Sequence, residues 1–185
     1  SITNATTQAW DGVVMNNSLY LAWNGAAASG IKMAYLTSSL AVSSSVTIDA
    51  SHVATVIGVS ADTVNQKVWV AGYDAATNAA RVNVRDAQLA SILASTSILT
   101  SVTVTNLTVA ASSGTATIFY ELTAAYSYDA GIPTNLVRKV TCTQAGTVGT
   151  PATVSRSVGL ASKAFYIGTS IYLLTAYSSS YQPTY

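Results

Sequence analysis

Few residues in this chain could do chemistry. His52 is the single histidine and Cys142 the single cysteine, and the acids are Asp11, Asp49, Asp62, Asp74, Asp86, Glu121 and Asp129. A serine nucleophile needs a histidine base and a sharp turn to present it. No Gly-x-Ser-x-Gly elbow occurs, and Ser51-His52 follows Ile48-Asp49-Ala50 in a loop-like context. One Cys and one His give neither CxxC nor HExxH spacing, so no metal or other cofactor is expected. No Gly-rich phosphate loop or Asp-x-Asp-x-Asp calcium loop occurs. Glycoside hydrolysis needs two carboxylates facing one sugar. Glu121 is the acid of interest, because it follows Phe119-Tyr120 in an apolar run. Facing inward, it would be desolvated and its pKa raised. The alternation of a strand more often points such a residue at solvent. No residue is therefore assigned a catalytic role. Asp62, Asp74 and Asp129 stand in turn contexts, where Asp caps backbone N–H groups.

Most of the eleven tyrosines fall in strand-like runs, among them Tyr20, Tyr35, Tyr120 and Tyr172. There they supply buried area. Tyr177, Tyr181 and Tyr185 are harder to place in a core. Tyr177 and Tyr181 are the candidate ligand or interface aromatics.

The composition limits the partners. Half of the 185 residues are hydrophobic and only 8% are charged, against about 25% in ordinary soluble domains. Such a surface is expected to be covered by neighbours or by lipid. A membrane helix needs about 20 apolar residues in succession, and the apolar runs here are strand-sized, as at Ile171 to Leu174. The turns are too irregular for a transmembrane barrel. The eight basic residues are scattered, with only Arg138-Lys139 adjacent, so no nucleic-acid groove is expected.

Strand formers dominate, in short runs separated by Gly, Asn, Asp and Ser. Helical periodicity is poor; the best helical stretch is Ala87 to Ala94 after Asp86, which is short and reads equally as a connecting loop. Four runs share one form: Leu19-Tyr20-Leu21, Val68-Trp69-Val70, Ile118-Phe119-Tyr120 and Ile171-Tyr172-Leu173. Their central aromatics lie about 50 residues apart, a spacing that signals repeats. A strand is expected before each anchor, at Val13 to Met15, Val56 to Val59, Leu107 to Val109 and Ala164 to Ile167. Another follows each of the first three, at Ile31 to Leu36, Arg81 to Val84 and Leu136 to Val140. A more polar fourth falls at Val46 to Ile48, Ile98 to Val104 and Ala152 to Val154. Four antiparallel strands in about 50 residues make a propeller blade. The expected fold is all-β and β-propeller-like, with units near 1–50, 51–100, 101–150 and 151–185. The last unit stops where its third strand would run, so the chain is expected to belong to a longer polypeptide.

Two propeller signatures are only faintly echoed. Ser60-Ala61-Asp62 before Trp69 resembles the Asp-box of sialidase-type propellers, without its Gly and with the Trp too distant. Trp10-Asp11 is a lone Trp-Asp pair. The closing stretch Ile171-Tyr172-Leu173-Leu174-Thr175-Ala176-Tyr177, then Tyr181-Gln182-Pro183-Thr184-Tyr185, resembles a segment of the tail nozzle, or stabilisation, proteins of short-tailed bacteriophages. That resemblance implies a structural virion protein in the tail. It also implies a cyclic homo-oligomer, usually a hexamer, in contact with other tail proteins such as adaptor or fibres, and no enzyme activity. The competing readings are a carbohydrate-binding or adhesin propeller and a propeller glycoside hydrolase using Glu121.

Overall fold

A computed structural model describes residues 9–25, 30–122, 128–129, 132–133, 135–157 and 160–176. The described residues form strands and turns without a helix. Blade 1 contains β1 (Trp10–Met15), β2 (Ser18–Asn24), β3 (Ile31–Leu36) and β4 (Val42–Asp49). Blade 2 contains β5 (Val56–Asp62), β6 (Lys67–Asp74), β7 (Ala79–Asp86) and β8 (Ser91–Thr100). Blade 3 contains β9 (Val104–Ser112), β10 (Thr115–Leu122), β13 (Asn135–Thr143) and β14 (Ala152–Ser157). A small hairpin, β11 (Tyr128–Asp129) with β12 (Ile132–Pro133), is inserted between β10 and β13. Blade 4 is described as the pair β15 (Leu160–Ile167) and β16 (Ser170–Ala176).

Blades 1 to 3 are four-stranded antiparallel meanders in which each strand pairs with its predecessor. Their hairpin chemistry is local. Asn16 and Asn17 join β1 to β2 with φ of 51° and 58°. Ser113 and Gly114 join β9 to β10 with φ of 53° and 78°. Two successive left-handed residues twist with the strands, and Asn and Gly tolerate that region best.

The first strands pack successively, β1 on β5, β5 on β9 and β9 on β15. They are the inner strands of a propeller-like arc. Each blade thus has a forward face toward the next blade and a rear face toward the previous one. Tyr20, Met33 and Ile48 of blade 1 share a core with Ile57, Val59, Val68 and Val70 of blade 2. Trp69 and Val82 of blade 2 meet Val109, Ile118 and Tyr120 of blade 3. Phe119 and Val137 of blade 3 meet Ala164, Ile171 and Leu173 of blade 4. The repeated aromatics Tyr20, Trp69 and Phe119 are therefore forward-facing, and the residues flanking the next anchor cover them. Burying one such side chain stabilises by roughly 1.5–3 kcal/mol.

Polar bonds staple the inner strands together. Asp11 Oδ2 accepts from Val59 N (2.7 Å), Ser60 Oγ from Ala111 N (3.0 Å) and Thr108 Oγ1 from Ala164 N (2.9 Å). An inner strand is a sheet edge, and its free N–H groups need acceptors. Each side-chain oxygen supplies one across the blade interface. Close approach is required as well. A Cβ on Gly58 would stand 3.1 Å from both Leu107 Cδ2 and Thr108 Cα.

One open reading is decided and one expectation is corrected. Residues 87–94 are not helical: Asp86 accepts from Gln88 N and Ala90 N, closing a turn that leads into β8. That side-chain turn outcompetes a helix start. The expected strand Ile98 to Val104 is divided, because β8 ends at Thr100 and Val104 opens β9 in the next blade.

Candidate functional site

The register defines one layer around the axis. Two residues beyond each anchor, β2, β6, β10 and β16 place Ala22, Ala71, Glu121 and Leu174. Their inner-strand partners are Asp11, Gly58, Asn106 and Lys163. These four positions are equivalent in the repeat, and three of them carry polar side chains.

Lys163 Nζ donates to Asp11 Oδ1 (2.7 Å), Asp11 Oδ2 (2.5 Å) and Val59 O (3.4 Å). Asp11 Oδ1 also accepts from Gly12 N (2.8 Å). The side chains of Lys163 and Asp11 are 34% and 23% exposed. The pair thus links blade 4 to blades 1 and 2, beside the gap in side chains left by Gly58. All three ammonium protons have acceptors, and both carboxylate oxygens carry two donors. A carboxylate so occupied has its oxygens committed to the fold.

Glu121 lies in the same layer, paired with Asn106 on β9 and Val137 on β13. It is 1% exposed, not solvent-facing as strand alternation suggested. The cause is that blade 4 covers the forward face of blade 3. Both Asn106 and Glu121 have polar partners.

His52 does not form a nucleophilic triad. Its Nδ1 lies 2.9 Å from Asp49 Oδ1, and Ser95 Oγ donates to Asp49 Oδ2 at 2.5 Å. Serine and histidine both bond the carboxylate, so no histidine nitrogen activates the hydroxyl. Burial would raise the Asp49 pKa. The hydrogen bonds from Ser95, His52 and Ser51 N outweigh it and hold the carboxyl below its ordinary value. The cluster clasps the loop between blades 1 and 2 to β8. Arg85 adds to the same clasp, donating to Ile48 O (3.3 Å).

Asp62 and Asp74 have structural partners. Asp62 accepts from Val64 N, Asn65 N and, across the blade interface, Gly114 N at 2.6 Å. Burial works against its ionisation, yet these bonds prevail and depress its pKa. Asp74 caps its turn through Ala76 N and Thr77 Oγ1. Cys142 is buried and burial pushes its thiol pKa up, which removes nucleophilic character. Among the described residues, no group of three His, Cys, Asp or Glu could hold a metal ion. No helix there is long and apolar enough to cross a membrane. Tyr177, Tyr181 and Tyr185 lie outside the described residues, as does the side chain of Asp129.

Sequence reasoning weighed Glu121, named Asp11 without a partner and passed over Lys163. The repeat register could have found them, because both stand opposite the residue two beyond an anchor.

No family model matches the chain, and no curated protein matches it by sequence. A solved structure described as a GH43 beta 1,3 galactosidase is similar in fold, with a TM-score of 0.57 at 10% identity. The match covers 86% of this chain and 36% of that one. At such identity the likeness shows a shared propeller-like fold alone.

Proposed function

We propose that the chain works by assembly, as a structural component of a bacteriophage tail, and not by catalysis. The observation that carries this reading is how the acids are used. Asp11, Asp49, Asp62, Asp74 and Asp86 all accept backbone N–H groups, and Asp11 is also paired with Lys163 at the axis. These groups hold turns and blade interfaces. The low charge of the chain and the resemblance of its closing stretch to tail nozzle proteins support the same reading, with a ring of identical subunits contacting adaptor or fibre proteins. Peptide mass spectrometry of purified virions from a phage encoding this chain tests it. Peptides at multiple copies per particle are expected, with antibody labelling on the tail. A chain found in the lysate but absent from particles would sink the proposal.

A carbohydrate-directed propeller is the second reading. It is favoured by the fold likeness to a structure described as a galactosidase, and by Asp11 and Glu121 standing at the same level of the repeat register. It predicts cleavage or binding of β-1,3-linked galactosides. For the hydrolase form, Glu121→Gln should abolish turnover while the fold survives. Wild-type turnover in that variant would remove it.

A further inference from the structure

Blade 2 departs from its neighbours on one face. Opposite the two residues that flank the anchor, the third strand of blade 1 places Ala34 and Leu36, and that of blade 3 places Arg138 and Val140. Blade 2 places Asn83 and Arg85 there, with Arg81 at the next position on the same face of β7. This face looks into the junction with blade 1. Val68 and Val70, opposite Arg85 and Asn83, share its core, and Arg85 Nη2 donates to Ile48 O at 3.3 Å. Asn83 is 1% exposed and Arg85 8%. In blade 3, Arg138 donates to the hydroxyl of Tyr120 opposite it. Asn83 has a valine opposite, which offers no polar side-chain atom. The Oδ1 of Asn83 and the Nε of both Arg81 and Arg85 are buried and make no hydrogen bond within the chain. Burial lowers the Arg85 pKa, and the Asp86 carboxylate opposes that only in part. Asp86 holds its own turn through Gln88 N and Ala90 N. Asp49, next to Ile48, has its oxygens taken by Ser95, His52 and Ser51 N. A buried cation calls for an anion, and a buried carbonyl oxygen calls for a donor.

From this face we infer that the junction of blades 1 and 2 binds a small oxyanion that still carries an O–H, held by Arg85, Arg81 and Asn83. The planar guanidinium of Arg85 turns its Nε edge to the oxygens of the anion, and Arg81 adds a second charge. Asn83 Oδ1 accepts the remaining O–H. Hydrogen phosphate has this chemistry, and so does a short hydroxycarboxylate. Sulfate at neutral pH has the charge without the O–H. The repeat shows that the blade architecture does not itself require these polar groups. The two equivalent positions are apolar in blade 1, and one of them is apolar in blade 3, in the same register. The site is independent of whether the chain assembles in a virion.

Titration calorimetry at pH 7 and fixed ionic strength tests it, with inorganic phosphate, glycolate and sulfate as probes. Saturable binding of one phosphate or one glycolate per chain is expected, and the tighter of the two names the class. Sulfate should bind about tenfold more weakly, the worth of one hydrogen bond to a buried acceptor. Asn83→Ala should erase that difference by weakening the hydroxylated anion to the level of sulfate. Blade 1 carries Ala34 at this position, so the variant should fold, which circular dichroism checks. Arg85→Lys keeps the charge and loses the fork, and should weaken every probe by about tenfold or more. Should Arg85→Lys not fold, Asn83→Ala decides alone. No saturable binding of phosphate or glycolate would overturn the inference. Phosphate and sulfate binding alike, with no response to Asn83→Ala, would mean an adventitious ion only and overturn it too. Both results leave the virion experiment unaffected.

Discussion

Asp11 and Lys163 are 152 positions apart and share two hydrogen bonds at the axis, at 2.7 and 2.5 Å. The bond joins the first blade to the fourth, which no stretch of local structure could do. It fixes how far the arc has curved by the time β15 is laid down. A partly exposed pair of this kind contributes on the order of 1 kcal/mol or less, so its effect is on geometry before stability.

Lys163→Met should lower stability to urea by about 1 kcal/mol, a typical loss for one polar contact. The loss should shrink in high salt, which screens a partly exposed pair. Hydrogen exchange should speed up in β15 and β16 more than in blade 2. Uniform exchange across the chain would contradict a role specific to blade 4.

Thr108→Val and Ser60→Ala should each cost about 1–3 kcal/mol, because a buried N–H loses its acceptor. The amides to watch are Ala164 and Ala111. Thr108→Ser should restore most of the loss, since the hydroxyl is what matters.

Gly58→Ala should destabilise by about 1–3 kcal/mol through overpacking. The added Cβ meets Thr108 Cα at 3.1 Å, a backbone atom that cannot swing aside. Denaturant midpoints would measure this, and an unchanged midpoint would mean β5 and β9 can separate freely.

Asp62 gives a pH prediction. Its pKa is depressed in the fold, so the unfolded chain binds the proton more readily. Its stabilisation is complete above the unfolded value, about 3.9. It is lost as pH falls through the lower folded value. Asp49 acts in the same direction. Asp62→Asn should flatten the acid limb of the stability curve, and an unaltered limb would assign the acid sensitivity elsewhere.

Cys142 should stay unreactive to a thiol reagent in the native chain and react on unfolding. Rapid labelling without denaturant would show that the blade 3 core opens.

The repeat was legible because its anchors recur at nearly constant spacing and every one is aromatic. Strand positions followed from that register, and β1, β5, β9 and β15 contain the runs expected before the anchors. The burial of Glu121 was not legible. Alternation distinguishes faces only when one face meets water, and an inner blade has neighbours on both. The run Lys67 to Asp74 shows it: seven of its eight residues are buried in succession. The Asp11–Lys163 pair was hidden for another reason. Its partners are brought together by the curvature of the arc, and curvature leaves no mark on a pattern read one strand at a time.

The inner-strand staples all run in one direction: the acceptor lies on the earlier blade and the N–H on the later. A chain made from its N-terminus therefore finishes each acceptor before the donor it serves has been synthesised. Each new blade then finds its acceptor already made. Directional growth is thus written into the staples, and it runs the same way as the ribosome.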